Sequence, residues 1–290
     1  MNKYLISVDI EGITGVIDKN FSKESGKYYP HACRYMASDV NAVTQGILKV
    51  DPDAEITVRD AHGTHAINLD LEKLHPKARL IQGWDTIQNM LTGLEQDFAG
   101  VFCVGYHAGG QNTEAVLGHT LHSIIQYTKI NGNLVNETGI FALYAGHYHV
   151  PIAFISGDNH TINEAREQLG EEVVGVVVKQ SYSRGCAASL SLEQARKLLE
   201  KGAADAVAKI QQKQLKIPKV PSPVTLEIKF YDSGVRISIL QHLAEILAFD
   251  PTYKFNCQEH LLAFSSKDAL EMLKRLNMIM FLVYGIKSSS

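Results

Sequence analysis

Short apolar runs rich in β-branched residues recur along the chain, separated by longer segments with helical periodicity. Five runs stand out in chain order: LISV at 5–8, EITV at 55–58, VFCV at 101–104, PIAFIS at 151–156 and VVGVVV at 173–178. Strands of this kind that alternate with amphipathic helices are typical of βαβ units. The pattern therefore predicts an α/β fold with a largely parallel sheet flanked by helices.

Apolar spacing and capping pairs indicate where helices lie. Met36, Val40, Val43 and Ile47 follow the spacing of one buried helix face, which predicts an amphipathic helix between the first two strands. A serine or threonine three residues before an acidic residue or glutamine is typical of a helix start. Such pairs predict helix starts at Thr161 with Glu164, at Ser191 with Gln194 and at Ser265 with Asp268.

A proline-rich segment, KIPKVPSP at 216–223, is the one linker-like stretch, because its three prolines are incompatible with a helix. The segment TLEIKF at 225–230 predicts a further strand, and the apolar segment MIMFLVYG near the C-terminus is assigned to the core rather than to a subunit interface. We therefore predict a main α/β domain over residues 1–180. A smaller C-terminal α+β part over 181–290 is either separate from it or continuous with it, and contributes to oligomerisation.

Composition narrows the classes of function. The chain has 290 residues, with 28 Lys and Arg against 31 Asp and Glu and a formal net charge of −3. Because no run of basic residues is present, neither a nucleic acid nor a membrane is expected as a partner. The N-terminal apolar stretch is too short for a signal peptide, and no segment reaches the roughly 20 apolar residues of a membrane span. These features predict a cytoplasmic protein.

Histidine is frequent and cysteine is rare, with 12 residues of the first and 4 of the second. The cysteines are widely separated and form no C-x-x-C pair, which argues against a zinc ribbon or a dithiol redox motif. We expect them to be buried free thiols. The chemistry of this chain is therefore expected to rely on imidazoles and carboxylates.

Candidate ligands for a metal follow three of the predicted strands. Asp9 and Glu11 follow the first strand at a spacing of two, His62 follows the second, and His107 follows VFCV. Ligands of open α/β sheets bind beyond the carboxyl ends of the strands, so these side chains are expected to converge. Carboxylate and imidazole donors suit zinc, manganese or cobalt, and a shared carboxylate can bridge two ions about 3.5–4 Å apart.

Further candidates lie between residues 117 and 149. His119 and His122 occur in VLGHTLHS, and Glu137 begins a predicted helix. On local grounds alone, the carboxylate of Glu137 is explained by a favourable interaction with the helix N-terminus. His147 and His149 are placed at the junction between that helix and the next strand.

The ordered motifs SVDIEG, RDAH, GYHAGG, GHT and NETG, with SGDN and VKQSYSR further on, resemble those of the M55 family of metallopeptidases, the D-aminopeptidases. The resemblance extends from the first strand to at least Arg184. It implies an α/β unit with an additional smaller part. It also implies two zinc ions per subunit, for which the matching ligands are Asp9 as the bridge, Glu11, His62, His107 and Glu137.

The same resemblance implies that His119 is the catalytic histidine. The segment from His107 to His119 is one residue longer than the family pattern, and Gly118 stands where a serine is common. His122 therefore remains an alternative to His119.

The function implied by the resemblance is hydrolysis of short peptides with an N-terminal D-amino acid, D-Ala being favoured, through a metal-bridging hydroxide. Family members form ring-shaped homo-oligomers, and a decamer is among the sizes expected here. Two alternatives remain open from the residues. The site could cleave another amide or a phosphoester, or the chain could be a non-catalytic, metal-dependent peptide-binding protein.

Overall fold

The computed structural model describes residues 1–63, 65–84, 86, 88–94, 97–232 and 234–288. The strands are β1 (Lys3–Val8), β2 (Glu55–Asp60), β3 (Ala78–Ile81), β4 (Phe98–Val104), β5 (Ile125–Ile130), β6 (Asn133–Val135), β7 (Ile152–Asp158), β8 (Val174–Ser183), β9 (Cys186–Ser189), β10 (Val224–Phe230), β11 (Tyr253–Asn256) and β12 (Leu261–Ser266). The α-helices are α1 (Lys19–Ser22), α2 (Tyr29–Val50), α3 (Glu137–His147), α4 (Asn159–Leu169), α5 (Leu192–Gln211), α6 (Gly234–Ile246) and α7 (Ala269–Ser288). Short 3-10 turns occur at Leu71–Lys73 and Asn89–Leu91.

The five apolar runs form strands of one seven-stranded sheet, which confirms the predicted α/β fold. Its strand order is β3-β2-β1-β4-β7-β8-β9, and every neighbouring pair is parallel except β8 and β9. From β1 the chain crosses to β2 on one side, and β4 later pairs with β1 on the other side. The strand order therefore reverses between β1 and β4, where open α/β sheets form their ligand crevice.

Helices α2 and α5 cover one face of this sheet and pack against each other. The predicted apolar face of α2 is confirmed, because Met36, Val40, Val43 and Ile47 are all fully buried. Gly46 allows the two helices to approach closely, since a Cβ atom at this position would collide with the backbone carbonyl of Glu200. The periodicity of the sequence therefore correctly indicates which face of α2 is buried.

A second, antiparallel sheet has the strand order β11-β12-β10-β5-β6. The predicted strand TLEIKF is β10, at the centre of this sheet, where it pairs with β5 and β12. A second core joins this sheet to α3, α4, α6, α7 and the other face of the parallel sheet. The antiparallel sheet thus combines residues 125–135 with residues 224–266. The division into domains 1–180 and 181–290 stays a prediction.

Of the three predicted capping pairs, one is confirmed and two are displaced. Ser191 caps α5 by accepting a hydrogen bond from the backbone N–H of Gln194 at 3.3 Å. Helix α4 instead begins at Asn159, with Asp158 as its cap, so the prediction at Thr161 is wrong. Asp268 accepts from the N–H of Glu271 at the start of α7, whereas Ser265 lies in β12. An aspartate can cap a helix as well as a serine, and local spacing does not distinguish them.

Helix α7 carries the apolar C-terminal segment and has two kinds of apolar side chain. Ile279, Met280 and Val283 are buried, as predicted for a core segment, whereas Met278 and Phe281 are exposed. Among the residues that the structure describes, no helix is both long enough and apolar enough to span a membrane.

The cysteines are free, as predicted, but they are not all buried. Cys103 is buried in the parallel sheet, Cys33 is partly buried, and Cys186 and Cys257 are exposed. The prediction of burial is therefore wrong for the last two, since a cysteine's preference for the interior is only statistical.

Asp39 on α2 is a buried carboxylate whose charge opposes folding. It accepts hydrogen bonds from the backbone N–H of Thr14 at 3.0 Å and from the Thr14 hydroxyl at 2.8 Å. Burial outweighs these bonds and raises the pKa of Asp39 from 3.8 to about 6. Because the folded-state pKa lies above the unfolded-state value, stability from the protonated form is complete below about pH 4. This stability is lost as the pH rises through about 6.

We expect Asp39→Asn to remove this pH dependence, because asparagine keeps an oxygen acceptor for Thr14 and carries no charge. The free energy of unfolding of the variant should rise relative to the wild type by about 2 kcal/mol between about pH 4 and pH 7. Urea unfolding across this range measures the difference. Asp53→Asn, at an exposed position, is the control and should show a flat difference. A flat difference for Asp39→Asn would contradict the expectation.

Candidate metal centre

The crevice between β1 and β4 gathers the side chains that follow three parallel strands. Asp9 and Glu11 follow β1, His62 follows β2 and His107 follows β4. The backbone N–H of Asp9 donates to the carbonyl of Val104 at 2.9 Å, which continues the pairing of β1 with β4 up to the site. The expected convergence at the carboxyl edge of the sheet is therefore observed.

Two glycines allow the loops after β1 and β4 to touch. Gly12 donates its N–H to the carbonyl of Gly105 at 2.7 Å, and a Cβ atom at Gly12 would collide with the carbonyl of Tyr106. Gly105 has a φ of 68°, a left-handed conformation that costs glycine little. Because glycine has no side chain, the loop that carries Glu11 can lie directly against the loop that carries His107.

The first group of candidate ligands consists of Asp9, Glu11 and His62. Nδ1 of His62 lies 2.9 Å from Oδ1 of Asp9 and 2.7 Å from Oε2 of Glu11. One ligand atom from each of the three residues lies within 4.8 Å of the others. The other ring nitrogen, Nε2 of His62, lies 2.7 Å from the carbonyl of Ser22 at the end of α1.

The second group consists of His107, His119 and Glu137, whose ligand atoms also lie within 4.8 Å of one another. Nε2 of His107 lies 3.3 Å from Oδ2 of Asp9 and 3.5 Å from Oε1 of Glu137. The rings of His107 and His119 stack with their centroids 4.1 Å apart. Asp9 therefore lies between the two groups and turns one carboxylate oxygen toward each.

The hydrogen bonds of the three imidazoles indicate which ring nitrogen carries the hydrogen. A backbone carbonyl can only accept a hydrogen bond, so the ring nitrogen that faces it carries the hydrogen. Nε2 of His62 faces Ser22, and Nδ1 of His107 and of His119 face the carbonyls of Ala108 at 3.0 Å and Leu117 at 2.9 Å. In a neutral imidazole the other ring nitrogen then carries a lone pair. For His62 and His107 this lone pair would point at carboxylate oxygens, and a proton or a metal ion between them relieves the repulsion.

The charge balance of the site also requires cations. Asp9, Glu11 and Glu137 are 3%, 8% and 4% exposed. Within the described part of the chain, no Lys or Arg lies within 4.0 Å of these carboxylates, whose ion-pair partners are histidines. Buried carboxylates are costly unless they are paired with positive charge or coordinate a metal. The residues present therefore fit a divalent metal pair.

The pKa values of the site residues reflect the negative charge of the buried carboxylates. Burial opposes ionisation of Asp9, but hydrogen bonds with His107 and His62 outweigh it and hold the pKa of Asp9 well below its usual range. Burial would lower the pKa of His107, yet the charges of Glu137 and Asp9 raise it to about 10. The pKa of His62 is raised by Glu11 and Asp9 against the effect of burial. The site thus attracts positive charge, which protons or metal ions can supply.

The two candidate catalytic histidines have different surroundings. His119 belongs to the second ligand group, as described above. His122 packs edge-on against Tyr284 of α7, with ring centroids 5.2 Å apart, and its Nδ1 accepts from the backbone N–H of Ile124 at 3.1 Å. The geometry therefore favours His119 over His122, and the catalytic role of His119 stays a prediction.

Lys179 is a contributor to the site that sequence reasoning missed. Its buried ammonium donates to the backbone carbonyls of Glu11 at 2.7 Å, Ile13 at 3.1 Å and Val16 at 2.5 Å. It therefore fastens the loop that carries Glu11. Burial lowers the pKa of Lys179 to about 8. A lysine directly after the apolar run at 173–178 is a signal of this role, since such a residue must find partners inside the protein.

Fold and donor set together define an α/β metallohydrolase, with carboxylates and imidazoles gathered at the strand crossover. Comparison with known proteins is consistent with this class. Residues 2–278 match the family profile of the M55 peptidases, described as D-aminopeptidases. The chain therefore belongs to the M55 family of D-aminopeptidases.

One relative found by sequence and one solved structure, both from Bacillus subtilis, are similar over nearly the whole chain. A D-aminopeptidase from strain 168 is 33% identical over 267 residues, which are 91% of this chain and 94% of the relative. The solved structure of the Zn-dependent D-aminopeptidase DppA, described as a self-compartmentalizing protease, has a TM-score of 0.88 at 28% identity. That match covers 97% of this chain and 98% of the other.

Proposed function

We propose that this protein is a zinc-dependent aminopeptidase that removes the N-terminal D-amino acid, D-Ala in preference, from short peptides. Two zinc ions per chain would be held by Asp9 as the shared ligand, Glu11, His62, His107 and Glu137. The observation that carries the proposal is the position of Asp9, whose two oxygens face separate histidines at 2.9 and 3.3 Å. Zinc dependence and D-aminopeptidase activity are stated for the similar protein DppA.

The residues around the site support hydrolysis of an amide. When bound, a zinc pair would supply Lewis acidity and would make a water acidic enough to provide hydroxide, the nucleophile for an amide carbonyl, near neutral pH. Asp9 and Glu11, which follow β1, would hold one part of the metal pair. His107, which follows β4, and Glu137, at the start of α3, would hold the other part. His119, whose Nδ1 faces the carbonyl of Leu117, has Nε2 available to move a proton to the leaving amine.

Assembly into a closed ring and a cytoplasmic location belong to the same proposal. The relative DppA is described as self-compartmentalizing. On α7, the apolar side chains of Phe281 and Met278 are 63% and 38% exposed and lie three residues apart on one helix face, which suits a surface that a second copy covers. The exposed free thiols of Cys186 and Cys257 suit a reducing compartment.

Matched substrates test the proposed activity. We expect the zinc-loaded protein to hydrolyse D-Ala-D-Ala with a kcat/KM at least about a hundredfold above that for L-Ala-L-Ala, because a site that fits one configuration misplaces the scissile bond of the other. Peptide hydrolysis and zinc content should be measured on the same preparation.

The same assay includes the alternatives. Cleavage of p-nitrophenyl phosphate without peptide cleavage would replace the proposal with a phosphoesterase. Stoichiometric binding of D-Ala-D-Ala without turnover would replace it with a peptide-binding protein.

A further inference from the structure

A buried carboxylate on α4, outside the candidate ligand set, connects both segments of the second ligand group. Glu164 is 9% exposed, and no Lys or Arg in the described ranges forms an ion pair with it. Its oxygens accept three hydrogen bonds: from the N–H of Gly109 at 2.8 Å, from Nδ2 of Asn136 at 2.8 Å and from Nδ2 of Asn112 at 3.0 Å. These three hydrogen bonds compensate for the burial of the carboxylate and connect α4 to the segments that contain Gly109 and Asn136.

The first of these bonds reaches His107 through a single peptide group. The N–H of Gly109 donates to Glu164, and the carbonyl of the same peptide group, that of Ala108, accepts from Nδ1 of His107 at 3.0 Å. That carbonyl also accepts from the backbone N–H of His119 at 3.1 Å. Because a peptide group is planar, fixing its N–H fixes the direction of its carbonyl. Glu164 thus sets the ring orientation of His107.

The second bond reaches Glu137 through the start of α3. Asn136 is the cap of this helix, and its Oδ1 accepts from the N–H of Gly139 at 3.3 Å. Its Nδ2 donates to Glu164, so the amide is held at both ends. Glu137 is the next residue, and it turns Oε1 toward His107 at 3.5 Å. Glu164 therefore fixes the backbone from which this ligand projects.

We infer that Glu164 is a positioning residue for the second half of the metal centre, because it orients His107 through the Ala108–Gly109 peptide group and Glu137 through Asn136. This inference rests on the proposed metal site. The first ligand group has no hydrogen bond to Glu164, so the effect of Glu164 is confined to one of the two metal positions. Residues that orient metal ligands affect metal affinity by about 10–100-fold when replaced.

Glu164→Met is the direct test, because it keeps the approximate size of the side chain and removes Oε2, the oxygen that accepts from both Gly109 and Asn136. Zinc binding to the metal-free chain is titrated against a chromophoric chelator, which resolves two binding steps. We expect one step to weaken about 10–100-fold and the other to change by less than about threefold. The control is Glu167→Met, at an exposed glutamate on the same helix, for which neither step should change.

A second variant keeps the test informative if Glu164→Met does not fold. Asn136→Ser retains a capping oxygen for α3 and loses only the donor to Glu164, since serine is a good N-cap. We expect it to weaken the same zinc step. Where Glu164→Met folds, as shown by its circular dichroism, the double variant should bind zinc no more weakly than Glu164→Met, because that change already removes the bond that Asn136→Ser breaks.

The outcomes separate this inference from the proposed function. A wild type that binds no zinc would overturn the proposed function itself. A wild type that binds two zinc ions, with both steps unchanged or equally weakened in folded Glu164→Met, would overturn only the role of Glu164. A change in KM without a change in zinc affinity would also overturn it. Such a result would assign Glu164 to the substrate side, in the cavity of about 1080 Å³ that it borders with α3.

Discussion

Asp9→Asn is expected to lower kcat/KM by at least about a thousandfold, or about 4 kcal/mol of transition-state stabilisation. The reason is geometric: Oδ1 of Asp9 faces His62 and Oδ2 faces His107, so one carboxylate serves both ligand groups. Asparagine offers only one oxygen and places a donor where the other oxygen was. The variant should therefore retain fewer than two zinc ions per chain.

Zinc content by atomic emission and turnover of D-Ala-D-Ala measure this prediction together. Asp53→Asn, an exposed aspartate, is the matched control and should retain both zinc ions and full activity. A variant at Asp9 that holds two zinc ions with wild-type turnover would show that Asp9 is not a shared ligand. A stable fold in the inactive variant, checked by circular dichroism, assigns the loss to the site.

His119→Ala is expected to lower kcat by about a thousandfold, within the range for loss of a proton-transfer group, while both zinc ions remain bound. The ring of His119 stacks on His107 and its Nδ1 faces the carbonyl of Leu117, which orients Nε2 into the site. His119 also belongs to the second ligand group. Zinc content therefore separates its two possible roles, since a ligand is lost together with its metal and a proton carrier is not.

His122→Ala is the comparison that tests the alternative catalyst. Because His122 packs against Tyr284 and accepts from Ile124, we expect its kcat to stay within about tenfold of the wild type. A larger loss for His122→Ala than for His119→Ala would reverse the assignment. Loss of one zinc ion from His119→Ala, in proportion to activity, would make His119 a ligand.

Much of the parallel sheet was predictable because its signals are local. Runs of β-branched residues favour strands, and helix α2 buries the face that its spacing indicates. Residues directly after parallel strands share one edge of the sheet, so the convergence of Asp9, His62 and His107 follows from their places in the chain. The spacing between neighbouring parallel strands limits the distances between these side chains, and the sequence pattern already predicts those strands.

Other features depend on contacts that no local pattern contains. Glu137 has a sufficient local explanation at the start of α3, and only the folded chain shows its carboxylate 3.5 Å from His107. Glu164 fits a capping pair by spacing, yet Asp158 caps the helix and Glu164 accepts from Gly109 and Asn136 instead. A carboxylate has several acceptor positions, and the donors that occupy them come from distant segments.

The sequence by itself determined the α/β class, the order of the parallel strands along the chain and the residue types offered at the carboxyl edge. These follow from periodicity and from the chemistry of single side chains. Tertiary structure alone decided that β5, β6 and β10 share an antiparallel sheet, that each oxygen of Asp9 faces a different histidine, and that Lys179 and Glu164 fasten the ligand loops. Such arrangements depend on packing between segments far apart in sequence. A hydrogen bond forms only where that packing brings a donor and an acceptor within a narrow range of distances.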